Sequence, residues 1–289
     1  MTSALEQDLL ALTRAGLKEE ARYRTIPRIR WPDGVRMAVN FTADFDAMLL
    51  RRLMNEPPMQ LAKGEFGGRV GIWRLIELFD HHDIKATIFT PGRIRELYPD
   101  ALRAAHASGH EIADHMWEHW VPGDAVLEED HLLKTAAALA EITGARPVGT
   151  RSGHSLSLLK REGFLYTSHD CAGHLPYYIR DAAGETEMLN LPFHYAIDDA
   201  MFYSFSWLGS PNAAQRITDT GRVMELWWDA FLQQYHDGGY LNICLHPFVS
   251  GRAQRIDMLD DLITRMKRMP GVWMPRCADV ARHCLATHP

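Results

Sequence analysis

The period of the hydrophobic positions changes repeatedly along the chain. "VRMAVNFTADF" (35–45) is a short, nearly continuous apolar run and reads as a buried strand. "RVGIWRLIELFDHH" (69–82) follows with apolar residues at helical spacing, then "KATIFT" (85–90) as a short strand. The alternation continues. "DALRAAHASG" predicts a helix with a glycine stop, "HEIADH" a strand, "EEDHLLKTAAALAEITG" a helix and "ARPVGTR" a strand. "LSLLKREG" is helical, and "FLYTS" and "TEMLNLPF" are strands. A long helix over about 214–236 leads into the apolar strand "YLNICLHP", followed by a helix over 253–269, the strand "GVWMPR" and a terminal helix "ADVARHCLA". Residues 3–23 carry Leu5, Leu9, Leu12 and Leu17 near one face behind Ser3 as N-cap, an amphipathic helix ahead of this series.

Strands that alternate with helices imply a parallel sheet with helices outside it. The predicted fold is α/β, an irregular (β/α) barrel of seven or eight strands. The predicted organisation is an N-terminal helical extension over 1–30 and a barrel domain over 31–289. An open doubly wound sheet is the alternative, but no glycine fingerprint follows the first strand.

With 46% hydrophobic and 24% charged residues the composition is that of a globular protein. A net charge of -6 and the lack of a basic aromatic patch argue against nucleic acid as partner. No run has the length of a membrane span, and the leucines near the start are broken by charges, unlike an export signal. The expectation is a cytoplasmic protein with no membrane partner, whose four scattered cysteines are free thiols.

A parallel barrel gathers its chemistry at the carboxyl ends of its strands. The first strand ends in "ADFDA" with Asp44 and Asp46, another in "DHMWEH" with Asp114, His115 and His119, the next in "TRSGH" with Arg151 and His154, and the late strand in "LHP" with His246. Two histidines four residues apart plus one carboxylate make a three-ligand set for a catalytic zinc with one position open. His110 starts its strand and is read as structural, and Glu118 as solvated. Glu65 and Arg69 in "GEFGGRVG", read as a βα loop, and His154 and His194 near "NLPFHY" are the candidate substrate contacts. Ser152 lacks the G-x-S-x-G elbow that a serine hydrolase needs.

On these residues the chain resembles the polysaccharide deacetylase superfamily, the NodB-homology barrel, over about residues 35–285. "HMWEH" is similar to its metal motif and "ADFDA" to its acidic motif. The resemblance implies Asp44 as base, Asp46 with His115 and His119 as ligands, Arg151 as the residue that orients the base and His246 as acid. Phe45 separates two aspartates that are adjacent in the common motif, so base and ligand roles stay exchangeable between Asp44 and Asp46. "GEFGGRVGIWRLIELFD", "GFLYTSHD" and "LHPFVSGRAQRIDMLDDLI" resemble an intracellular branch with atypical peptidoglycan deacetylases, cyclic imide hydrolases and metal-independent allantoinases.

The resemblance implies a metal-dependent amidohydrolase with a divalent cation, zinc first and cobalt, nickel or manganese on the same ligands. The expected substrate is a small amide, foremost a cyclic imide or related ring amide. The alternatives are N-deacetylation of peptidoglycan or another N-acetyl amino sugar, and a metal-binding protein without turnover. A homo-oligomer, dimer or tetramer, is expected.

Overall fold

The computed structural model describes residues 22–203 and 218–289. Strand β2 (Met37–Asp44) is buried along its whole length, which follows from its apolar composition and its place between β3 (Thr87–Thr90) and β9 (Tyr240–Leu245), both parallel to it. The parallel series continues through β4 (Glu111–Asp114), β5 (Gly149–Thr150), β6 (Tyr166–Thr167) and β8 (Glu187–Asn190). Antiparallel β7 (Tyr177–Arg180) and β1 (Tyr23–Thr25) complete that edge, and β10 (Val272–Trp273) pairs with the start of β2. Ten strands are seen among the described residues. Among the described residues no ladder joins β8 to β9. A single bridge from Asp198 to Cys244 spans part of that gap. The architecture is a distorted (β/α) barrel, as expected from the sequence, with ten strands among the described residues in place of the seven or eight expected.

Strand parity sets what faces the barrel interior. Val39, Phe41 and Ala43 of β2 turn outward into the layer of helices with Leu75, Phe79 and Leu259. Asn40, Thr42 and Asp44 therefore turn inward. There Tyr240 Oη donates to Asn40 Oδ1 at 2.6 Å, and Thr42 Oγ1 donates to the carbonyl of Ile243 at 2.8 Å. Phe89, Ala113, Tyr166 and Leu189 fill the inner core alongside.

The helices fall where the apolar spacing placed them. Ala125–Thr143 is capped by Asp124, whose side chain accepts from Val126 and Leu127, and ends at Gly144 in the left-handed region. The long late helix runs over Thr220–Asp237, starting at Asp219 as N-cap. The part of its predicted span before residue 218 lies outside the described residues, as does nearly all of the predicted N-terminal helix. Tyr23–Thr25, inside the stretch read as a helical extension, is a strand paired with β7.

Two strands were hidden from the pattern. β1 and β7 are only three and four residues long, and antiparallel edge pairing needs no long apolar run. The segment "GEFGGRVG" also differs from its reading as a loop. It is continuous helix, Pro58–Phe66 passing through a π turn at Gly67–Gly71 into Ile72–His81. Its glycines serve contact: a Cβ on Gly71 would sit 2.0 Å from the carbonyl oxygen of Pro247, and one on Gly67 3.0 Å from Phe248. The π turn thus packs its backbone directly onto the segment that follows His246.

Candidate metal centre and active site

Asp46, His115 and His119 come from two strand ends and meet in one place. Asp46 Oδ1 lies 3.3 Å from His115 Nε2 and 3.5 Å from His119 Nε2. Donors held about 2.0–2.2 Å from a tetrahedral ion stand roughly 3.3–3.6 Å from one another, so this spacing is that of ligands around one cation. Asp46 is fully buried, and among the described residues neither of its oxygens nor His115 Nε2 has a hydrogen-bond partner. Buried acceptors without donors are costly, and a divalent cation is the partner this donor set fits. Burial alone would raise the Asp46 carboxyl, but the imidazoles of His119, His115 and His246, in their protonated forms, outweigh it and hold the group below the usual carboxylate range.

The backbone explains how two histidines four apart face one point. The turn 115–119 is not helical; Met116 and His119 adopt φ of 68° and 67°. His115 donates its Nδ1 proton to the carbonyl of Arg151, which fixes the tautomer and leaves Nε2 with its lone pair toward Asp46. Glu118, read from the sequence as solvated, is instead clamped. Its two oxygens meet Arg52 at 2.5 Å and Arg93 at 2.7 Å, tying the histidine turn to the neighbouring helices.

Asp44 ends β2 beside this cluster. Arg151 donates Nη1 to Asp44 Oδ1 at 2.7 Å, and its other nitrogens donate to Ser168 Oγ at 3.0 Å and to the Ser168 carbonyl at 3.2 Å. The guanidinium lies against the rings of Phe89 and Phe193, with centroids at 4.2 and 4.7 Å. Asp44 Oδ2 is turned toward His115 Nε2 at 3.9 Å and Cys244 Sγ at 3.6 Å. Phe45 between the aspartates therefore separates their environments: Asp46 faces the imidazole pair, whereas Asp44 is held by arginine.

His246 closes the other side, its Nε2 4.0 Å from Asp46 Oδ2. Its Nδ1 is 2.7 Å from Asp199 Oδ1, and Asp199 also accepts from the His246 backbone N–H at 2.8 Å and from the Ser250 hydroxyl. Burial would lower this imidazole. Asp199, Asp198 and Asp44 more than offset it and push the group up to about 10, so it carries its proton at neutral pH. Asp198 is itself pushed up to about 7, by burial first and then by Asp199 and Asp44.

Six residues chosen from the sequence thus converge: Asp44, Asp46, His115, His119, Arg151 and His246. Four others do not join them. Glu65 is half-buried and Arg69 exposed on the helical segment, and neither hydrogen-bonds or pairs with any of the six among the described residues. His154 is buried with Nδ1 3.3 Å from Glu128 Oε1. His194 is exposed, stacks on His174 at 5.6 Å, and lines a separate cavity of about 280 Å³ with Phe193 and Tyr240. The sequence reading missed Asp199, Cys244 and Ser168. The signal for Asp199 was the acidic pair in "YAIDDAMFY", two carboxylates inside an otherwise apolar stretch. His110, by contrast, sits at the opposite end as expected, its Nδ1 accepting from the Ala86 N–H at 3.1 Å.

The family pattern described as polysaccharide deacetylase matches residues 67–158. A solved structure of a Mycobacterium smegmatis protein, described as a polysaccharide deacetylase, aligns over 91% of this chain and 95% of its own, with 31% identity and a TM-score of 0.81. The structure of PuuE allantoinase aligns over 92% of this chain and 95% of its own, with 28% identity and a TM-score of 0.80. A peptidoglycan deacetylase of Helicobacter pylori is 28% identical over 267 residues, 81% of this chain and 90% of that one. The metal-fitted triad and these likenesses agree: the chain belongs to the NodB-homology polysaccharide deacetylase superfamily, as a metal-binding hydrolase.

Proposed function

We propose that the protein is a metal-dependent N-deacetylase that hydrolyses the acyl carbon–nitrogen bond of an N-acetyl amino sugar. The observation that carries the hydrolytic part is the placement of an arginine-held carboxylate and a carboxylate-held imidazole on either side of one metal-fitted triad. The H. pylori relative supports the sugar amide as substrate better than it supports a ring imide.

A divalent cation held by Asp46, His115 and His119 would supply Lewis acidity for the substrate carbonyl and acidify a water. The chain's own groups do the rest. Asp44, oriented by Arg151, takes the proton from the attacking water through the Oδ2 atom that Arg151 leaves open. His246 carries a proton at neutral pH and gives it to the departing nitrogen, which an amide needs because its anion is a poor leaving group. Asp199 fixes the His246 ring through Nδ1, so Nε2 is the donor and faces the reaction. Arg151, boxed by Phe89, Phe193 and Ser168, cannot swing away from Asp44, which limits the reorganisation needed as charge shifts.

A second reading is hydrolysis of a compact ring amide, such as a cyclic imide. The likeness to an allantoinase over nearly the whole chain supports it. The two are separated by one panel: acetate release from N-acetylglucosamine and its short oligomers, and ring opening of succinimide and dihydrouracil. Acetate release alone supports the first reading. Ring opening without acetate release overturns it in favour of the second.

A further inference from the structure

Cys244 has no part in the chemistry above, yet its thiol is 1% exposed and lies between the two groups read as base and acid. Its thiol donates to Asp44 Oδ2 at 3.6 Å, and Asp44, Cys244 and His246 each offer a ligand atom within 4.8 Å of the others, so a cation would take the place of that thiol proton. With thiolate sulfur about 2.3 Å and carboxylate oxygen about 2.0–2.2 Å from zinc, a tetrahedral ion sets sulfur and oxygen roughly 3.6 Å apart. A fourth donor points the same way. Asp46 Oδ1 belongs to the His115/His119 side, whereas Asp46 Oδ2 is buried without a hydrogen bond and is turned toward His246 Nε2 at 4.0 Å.

We infer that Asp44, Cys244 and His246, with Asp46 as bridging carboxylate, form a second cation site for a soft divalent ion such as zinc or cadmium. Occupying it shuts the enzyme down. The inhibitory part rests on the roles proposed for Asp44 and His246, since the ion would tie up both the proton acceptor and the proton donor. Binding replaces both the Cys244 S–H proton and the His246 Nε2 proton by the cation and releases the two protons to solvent, leaving a thiolate–metal and an imidazole–metal bond with no change of oxidation state. Arg151 Nη1, 3.2 Å from the sulfur, stabilises the thiolate but repels the incoming ion. The second site is therefore weaker than the first, and fills only when the cation is in excess.

The test titrates the one-metal holoenzyme with cadmium, following bound ion by equilibrium dialysis and the thiolate–cadmium charge-transfer absorbance, alongside deacetylation. A second equivalent that brings the absorbance and abolishes turnover is expected. In Cys244→Ser the first equivalent should stay, the absorbance should vanish, and the second should weaken at least about a hundredfold, since even outer-shell changes at metal sites cost 10–100-fold. Cys171→Ser, which alters an exposed thiol, should behave as the parent. A single equivalent at saturation, as when Asp46 chelates the first ion with both oxygens, overturns the site, as does an absorbance that survives in Cys244→Ser. A second equivalent that leaves turnover intact overturns the inhibitory role and counts against Asp44 and His246 as base and acid.

Discussion

Arg151 Nη1 stands 2.7 Å from Asp44 Oδ1, joining the end of β5 to the end of β2 inside the barrel. Both groups are nearly fully buried, so the pair holds one carboxylate oxygen still and leaves its twin for the role proposed for the base. Asp44→Asn keeps the size of the side chain and removes its basicity. It should retain the metal and lose about 10²–10⁴-fold in turnover, the range of a lost general base. Metal content measured beside kcat checks this, and an Asn variant with parental kcat assigns the base elsewhere.

The His246–Asp199 pair gives a pH dependence with a definite sign. The folded-state value of His246 is raised to about 10, so its proton is present through neutral pH and is lost only as pH rises through that region. The stabilising contribution of the ion pair is likewise complete below the ordinary histidine value of about 6.5 and fades as pH rises toward the folded value. Asp199→Asn removes the largest raising influence. The alkaline limb of the kcat profile should move toward neutral pH in that variant, and an unmoved limb separates it from His246.

Glu118 should matter for the cation more than for the chemical step. Its two arginine partners hold a turn in which His119 occupies the left-handed region. Glu118→Ala should weaken metal affinity about 10–100-fold, as loss of an outer-shell support does. Turnover at saturating metal should stay close to parental. Chelator competition reads the first quantity, and unchanged affinity makes the clamp a surface feature only.

Gly71 of the π turn should tolerate no side chain. Gly71→Ala pushes a methyl into the Pro247 carbonyl and should destabilise the fold by about 1–3 kcal/mol, as overpacking does. Because Pro247 follows His246, kcat should fall with the melting temperature. A variant that melts like the parent shows that the two segments part easily.

Much of this was legible in the sequence, because parallel strands deliver their last residues to one rim. Asp44, His115, Arg151 and His246 each follow an apolar run whose end could be read, and parity plus parallel pairing brings them together. The positions beyond that rule were harder. Asp199 follows no clear strand; it reaches His246 because residues 198 and 244 bridge at the unclosed seam of the barrel. Glu65 and Arg69 were misplaced because glycines that permit close helix packing look, in a sequence, like glycines of a loop. Glu118 looked solvated because its arginine partners lie 66 and 25 residues away.

Metal and turnover measured together on one set of proteins test the central claim most directly. Elemental analysis and deacetylation should be run on the dialysed parent, on chelator-stripped protein, and on His115→Ala and Asp46→Asn. The parent should hold one divalent cation per chain. The stripped protein should lose activity and regain it on adding the ion, and both variants should lack metal and turnover together. Stripped protein that keeps full activity, or variants that turn over without metal, would contradict the account.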